Sequence, residues 1–157
     1  MNKSNSFLEN NMSTISTYQS GIAQATAHRI TSRIISDYLI RYDLTAMQWF
    51  IIGHIYDAGS IGLTMTELGR IIGTTLPYTT NTINLLESKG IIKKKVHDTD
   101  SRTKIVTVNQ AYTEIVSEIE AGLRDELRDN LYGQNHISRE ELQAYITVLY
   151  KINANQR

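Results

Sequence analysis

Cysteine is absent from the 157 residues. That absence excludes disulfides, thiol redox sensing, iron–sulfur ligation and every cysteine-based zinc site. Four scattered histidines leave little from which to build a metal site. No apolar run approaches the roughly 18 to 20 residues that a membrane span needs. Residues 1–12 are rich in Asn and Ser and poor in apolar side chains. They lack both a charged start leading into an apolar block and a small-residue cleavage site, so they are expected to be a flexible N-terminus rather than a signal peptide. Gly-rich phosphate loops, Gly-x-Ser-x-Gly and His-Glu-x-x-His are also missing, which leaves catalysis without a residue set. The expectation is a soluble, cytoplasmic protein that needs no cofactor.

The composition that is present, 41% hydrophobic and 20% charged, supports a packed core of one domain, or a small core with helical extensions. The zero net charge hides an uneven distribution. Residues 1–88 carry a net −1 and residues 105–157 a net −3. Between them Lys89, Lys93, Lys94, Lys95, Arg102 and Lys104 face only Asp98 and Asp100, a net +4. Such a basic island suits either a polyanion contact or a solvated, charged strand.

Helical periodicity organises most of the chain. Apolar residues recur three or four apart from Ile15 through Tyr18, Ile22, Ala25, Ile30, Ile34 and Tyr38, giving an amphipathic helix from about Thr14 to Leu39. Thr45 and Gln48 form a capping box that opens a helix to about Tyr56, and Thr64 and Glu67 form another that opens a short helix ending near Gly73. Pro77 suits the first turn of the next helix, which runs to Lys89 with Gly90 as its cap. Two short helices joined around Gly73 have the spacing of a helix-turn-helix.

After Gly90 the period changes to that of strands. Residues 91–97 and 104–109 are β-rich runs around the polar turn Asp98–Thr103, a β-hairpin. Asn109 is positioned to cap a further helix, in which Ala111, Ile115, Ile119, Leu123, Leu127 and Leu131 repeat every four residues until Gly133. Ser138 and Glu141 open a last helix with Leu142, Tyr145, Ile146, Leu149 and Ile152 expected inward. The fold class is mainly α with a small β-hairpin wing. It is a winged helix-turn-helix flanked by N- and C-terminal dimerisation helices, divided as 1–12, 13–43, 44–109 and 110–157. The terminal apolar stripes would overexpose a monomer, so a symmetric homodimer is expected.

Several motifs arrive in a fixed order: Leu44-Thr45-x-x-Gln48-Trp49, Leu63-Thr64-x-x-Glu67-Leu68, Leu86-Glu87-x-x-Gly90-Ile91-Ile92, and Asp100-Ser101-Arg102 followed by a return strand through Asn109. In this order and spacing, residues 44–109 resemble the MarR family of bacterial winged-helix transcription regulators. The resemblance implies a dimer that represses or activates promoters by binding double-stranded operator DNA, often released by a small ligand. It also implies a small aromatic effector. Tyr38, Tyr42 and Tyr56 near Trp49 are the candidates to bind it, with plain core packing as the other reading. A winged-helix module that binds protein is the second functional reading.

Steps of three and four back from Leu86 make Ile83, Thr82 and Thr79 the inward stripe of the second motif helix. Tyr78, Asn81, Asn84 and Ser88 then face outward, with Thr80 near the entry turn. Tyr78, Thr79, Thr80, Asn81 and Asn84 are the expected DNA contacts of this helix, through asparagine amides on adenine and through hydroxyls on phosphates or base edges. The helix departs from the family in having no Arg or Lys between Arg70 and Lys89, in Asn81 where many members carry Arg, and in the apolar Leu85. Arginine readout of guanine is therefore not expected from it. Affinity would lean on the wing and backbone amides, or the site would be A·T-rich, or Leu85 would meet a thymine methyl group or a neighbouring helix. Arg102 at the hairpin tip suits a narrow minor groove, with Asp100 expected to hold its guanidinium. Lys93, Lys95 and Lys104 are expected to line phosphates.

Overall fold

Side-chain caps decide where most of the helices begin. The computed structural model describes residues 15–154, so the segment expected to be a flexible N-terminus lies outside the described residues. Helix α1 spans Thr17–Leu39 behind a Ser16/Gln19 capping box, a few residues later than periodicity places it. A 3-10 turn at Ile40–Tyr42 and the left-handed Asp43 redirect the chain into α2, Ala46–Asp57, where the Thr45/Gln48 box forms as expected. The Thr64/Glu67 box opens α3, Met65–Ile72. Thr75 caps α4, Leu76–Ser88, with Pro77 in its first turn. The hairpin is β2, Ile92–Val96, and β3, Lys104–Val108. Asn109 caps a 3-10 turn at Gln110–Tyr112 that leads into α5, Thr113–Leu127. A π-helical turn at Arg128–Tyr132 ends α5, and α6 covers Arg139–Ala154 behind the Ser138/Glu141 box.

A third strand, β1 at Leu63–Thr64, joins the hairpin in the antiparallel order β1-β3-β2. Leu63 pairs with Val106 and Thr64 with Ile105. Two residues are too short for alternation to announce a strand, so the sequence shows only the hairpin. The strand depends on Gly62, whose φ is +70°, because a Cβ there would strike the Val106 carbonyl and the Ile105 side chain.

The core lies where α2, α3, α4 and the sheet meet. Ile51, Ile52 and Ile55 of α2 are fully buried with Leu68, Ile83 and Leu86. Each such side chain contributes about 1.5–3 kcal/mol on leaving water. Ile119 and Leu123 carry the core onto α5, whereas Ala111 falls in the preceding 3-10 turn and is exposed. A four-residue repeat advances about 40° per step beyond a 3.6-residue turn, so the stripe drifts off the contact and Leu127 and Leu131 are only half-buried.

The terminal helices differ from expectation within one chain. No residue of α6 is buried, so Tyr145, Ile146 and Ile152 do not face inward; they stand 49%, 41% and 52% exposed. On α1 only Leu39 is buried, and Tyr18, Ile22 and Ile30 are exposed. The helices lean together over an apolar groove lined by Ala27, Ile30, Leu142, Ile146 and Leu149. No helix among the described residues is long and apolar enough to cross a membrane.

Candidate nucleic-acid interface

Between α3 and α4 the chain turns at Gly73, whose left-handed backbone (φ 70°) lets its amide bond back to the Gly69 carbonyl at 2.9 Å. The turn is tightened by threonines. The Thr79 hydroxyl lies 3.1 Å from the Thr75 carbonyl and 2.9 Å from the Thr74 hydroxyl, and the side chain has no exposure. Thr79 stands on the inward stripe as its spacing from Leu86 predicts, and the structure corrects its place among the DNA contacts: its hydroxyl is spent inside the motif. Thr82 is buried similarly and donates to the Tyr78 carbonyl.

The outward face of α4 carries Tyr78, Asn81, Asn84, Leu85 and Ser88, all exposed, with Thr80 half-buried beside the entry turn. The Asn81 carboxamide has no hydrogen-bond partner among the described residues. That of Asn84 does, because Lys94 Nζ donates to its Oδ1.

Half of the basic island is bound within the fold. Lys89 reaches the Asp43 carboxylate at 2.8 Å and pins the end of α4 to the α1–α2 turn. Lys94 pairs with Glu87 at 2.8 Å, and Lys95 donates to the Ser60 carbonyl at 3.0 Å. Among the described residues Lys93, Arg102 and Lys104 remain without a partner. Strand alternation separates them further, since Lys104 pairs with Val96 on the sheet face that Lys94 turns to α4, while Lys93 and Lys95 point to the other face. Lys95 therefore does not stand free to line phosphates as expected; its amine is held by the loop before β1. Lys94, passed over in the sequence, is the lysine that touches α4, and its place in a period-two strand opposite the buried Val106 was the signal for it.

At the hairpin tip, Asp100 does not hold the Arg102 guanidinium. Its Oδ1 accepts the Arg102 backbone amide at 2.9 Å and its Oδ2 accepts the Thr103 hydroxyl at 2.9 Å. These two bonds hold the carboxyl below the usual carboxylate range. The guanidinium is left exposed and unpaired among the described residues, a fixed backbone carrying a free cation.

The four aromatic side chains expected around one ligand divide between two sides of α5. Tyr38 and Tyr42 lie with ring centres 6.0 Å apart, and the Tyr42 hydroxyl donates to Glu118 at 2.7 Å. The Glu118 bond raises the Tyr42 hydroxyl far above its ordinary value. Gly122 leaves room for the Tyr38 ring, which a Cβ there would overlap. Trp49 and Tyr56 instead line an open cavity of about 680 Å³ with Val116, Ala121 and Asp57, and Tyr56 meets the Ser117 hydroxyl at 3.3 Å. Tyr38 and Tyr42 do not line that cavity. Among the described residues no group of three or more His, Asp or Glu side chains could hold a metal ion.

A short helix pair with a left-handed turn, followed by a hairpin with a free arginine at its tip, defines a winged helix-turn-helix protein. Residues 42–103, which hold the helix-turn-helix and most of the hairpin, match the family model described as MarR family. Among solved structures, the S. aureus MepR "in DNA-binding conformation" is 25% identical, with 90% of this chain and 100% of that one covered at a TM-score of 0.70. The S. aureus MepR–DNA complex is 24% identical, covering 87% and 96% at 0.69. A mutant of E. coli MarR complexed with operator DNA is 20% identical, covering 84% and 91% at 0.67. The chain shares their fold over nearly its whole described length.

Proposed function

We propose that the protein is a homodimeric, sequence-specific DNA-binding repressor of the cytoplasm. Helix α4 enters the major groove and Arg102 the minor groove of a pseudo-palindromic operator. The observation that carries this reading is the exposed face of Tyr78, Asn81 and Asn84 beside a wing whose arginine has no partner among the described residues. Asn81, whose amide has no partner among the described residues, suits adenine. Arg102 suits the negative potential of a narrow groove. MepR and E. coli MarR, which share the fold, have both been solved with DNA.

Dimerisation follows from the apolar side chains that α1 and α6 leave exposed, a surface that a second copy would cover. Two recognition helices would then be presented about one DNA turn, roughly 34 Å, apart. A small aromatic effector would enter the cavity floored by Trp49 and Tyr56 and change that spacing.

The experiment is binding of the full chain to promoter fragments over a range of salt concentrations. Affinity is expected to fall linearly on a log–log plot, each phosphate-bound cation adding about one unit of slope. Asn81→Ala is expected to lose about 1–3 kcal/mol at one base pair and little elsewhere. Salt-independent association, or none, would overturn the reading in favour of a protein-binding winged helix.

A further inference from the structure

We propose that Lys94 sets Asn84 to read guanine rather than adenine, by holding an ammonium against the carboxamide oxygen so that the amino group is the function it offers the groove. The inference rests on the DNA-binding reading above and adds the base that one residue selects.

An asparagine recognises adenine with both ends of its amide, the amino group donating to N7 and the oxygen accepting from the N6 amine. Guanine offers two acceptors, N7 and O6, and no donor at that edge. The state of the oxygen therefore decides between the two purines.

In Asn84 that oxygen already accepts from a cation, which repels a second donor approaching its remaining lone pair. Lys94 extends from β2 on the sheet face turned to α4 and donates from Nζ to Asn84 Oδ1, and it is anchored a second time by Glu87 Oε2 at 2.8 Å. Asn84 and Glu87 are three residues apart on one face of α4, so a single ammonium spans both. The lysine side chain is 18% exposed, which limits its freedom to swing away. The Lys94 bond also lowers the Glu87 carboxyl below its ordinary range, keeping the anchor charged at neutral pH. The Asn84 amino group has no partner among the described residues.

Two consequences follow at the groove. The amino group meets guanine N7 and O6 as a donor meeting acceptors. The N6 amine of adenine would approach a carboxamide already bonded to a cation, with its own positive hydrogens directed at an ammonium. Asn81, one turn earlier and without such a lysine, keeps both functions and serves as the internal contrast. One helix without arginine thus carries two asparagines with opposite purine preferences.

The test begins by selecting operators from a random double-stranded DNA pool with the full chain, then measuring affinity for every single-base replacement. At one symmetry-related pair of positions the wild type is expected to favour guanine over adenine by about tenfold. Lys94→Met, which keeps the stem and removes the ammonium, is expected to equalise or reverse that preference while leaving the other positions unchanged. Asn84→Ala, an exposed substitution that spares the fold, is expected to abolish the guanine preference at the same positions. It also decides the matter should Lys94→Met fail to fold. Lys94→Met keeping the guanine preference, or weakening all sequences equally, would overturn the proposal, as would Asn84→Ala losing a preference for adenine. A wild-type chain that enriches no sequence would count against DNA binding itself, a failure distinct from these.

Discussion

Asp100 accepts the backbone amide of Arg102 and leaves its guanidinium alone. One residue builds the tip of the wing and the other is carried exposed on it, so the two are separable by mutation. Arg102→Ala is expected to weaken binding to all DNA sequences and to lower the salt slope by about one unit per monomer, with the folded state unchanged. Asp100→Ala is expected to weaken binding less, and to speed hydrogen exchange at the Arg102 amide. An unaltered salt slope in Arg102→Ala would remove the arginine from the interface.

The same carboxylate gives a pH dependence. Its pKa is lowered in the folded chain, so its contribution is present at neutral pH and is lost only as pH falls through that lowered value, on the acid side of the ordinary aspartate range. Amide exchange at Arg102 measured against pH should show protection disappearing only on the acid side. Loss on the alkaline side would mean that another group holds the turn.

Gly62→Ala is expected to be costly well away from the DNA face. The residue has φ +70° and no room for a Cβ beneath the Val106 carbonyl. Left-handed strain and overpacking together should cost at least about 2 kcal/mol, read as a lower denaturation midpoint with the β1–β3 pairing loosened. A midpoint within error of the wild type would show that the loop relaxes freely.

For the dimer, Ile146→Glu is the informative change. Ile146 is 41% exposed in the single chain, so a charge there leaves the monomer fold intact. Sedimentation is expected to move from twice the 17.8 kDa chain mass to that mass, with operator affinity falling in parallel. A wild-type chain sedimenting as a monomer at micromolar concentration would exclude the interface.

Neither dilute peroxide nor a chelator is expected to release DNA, because the chain has no cysteine and its methionines react slowly by comparison with thiolates. Release should come from small aromatic acids if the Trp49 cavity takes an effector. Release by peroxide or chelator alone would contradict this.

Much of the fold was legible because its signals are local. The Thr45, Thr64 and Ser138 boxes each close within three residues, and the change from helical to alternating pattern at Gly90 needs only its own neighbours. The family motifs are legible for the same reason, as caps and turns at fixed offsets. What only the tertiary structure decided is the allotment of each polar side chain to one of several partners. Lys93, Lys94 and Lys95 are alike in residue type; alternation turns Lys94 to the other face, but only the position of α4 gives it Glu87 and Asn84 and only the loop before β1 gives Lys95 the Ser60 carbonyl, while Lys93 has no partner among the described residues. Thr79 and Thr80 are adjacent hydroxyls; spacing back from Leu86 turns the first inward, and the turn between α3 and α4 decides that its hydroxyl meets Thr74 and the Thr75 carbonyl. Tyr38 and Trp49 fall near one junction in the chain, and α5 places them on opposite sides of itself. Local bonding is fixed by spacing along the chain, whereas a long-range partner is fixed by which surfaces the core brings face to face.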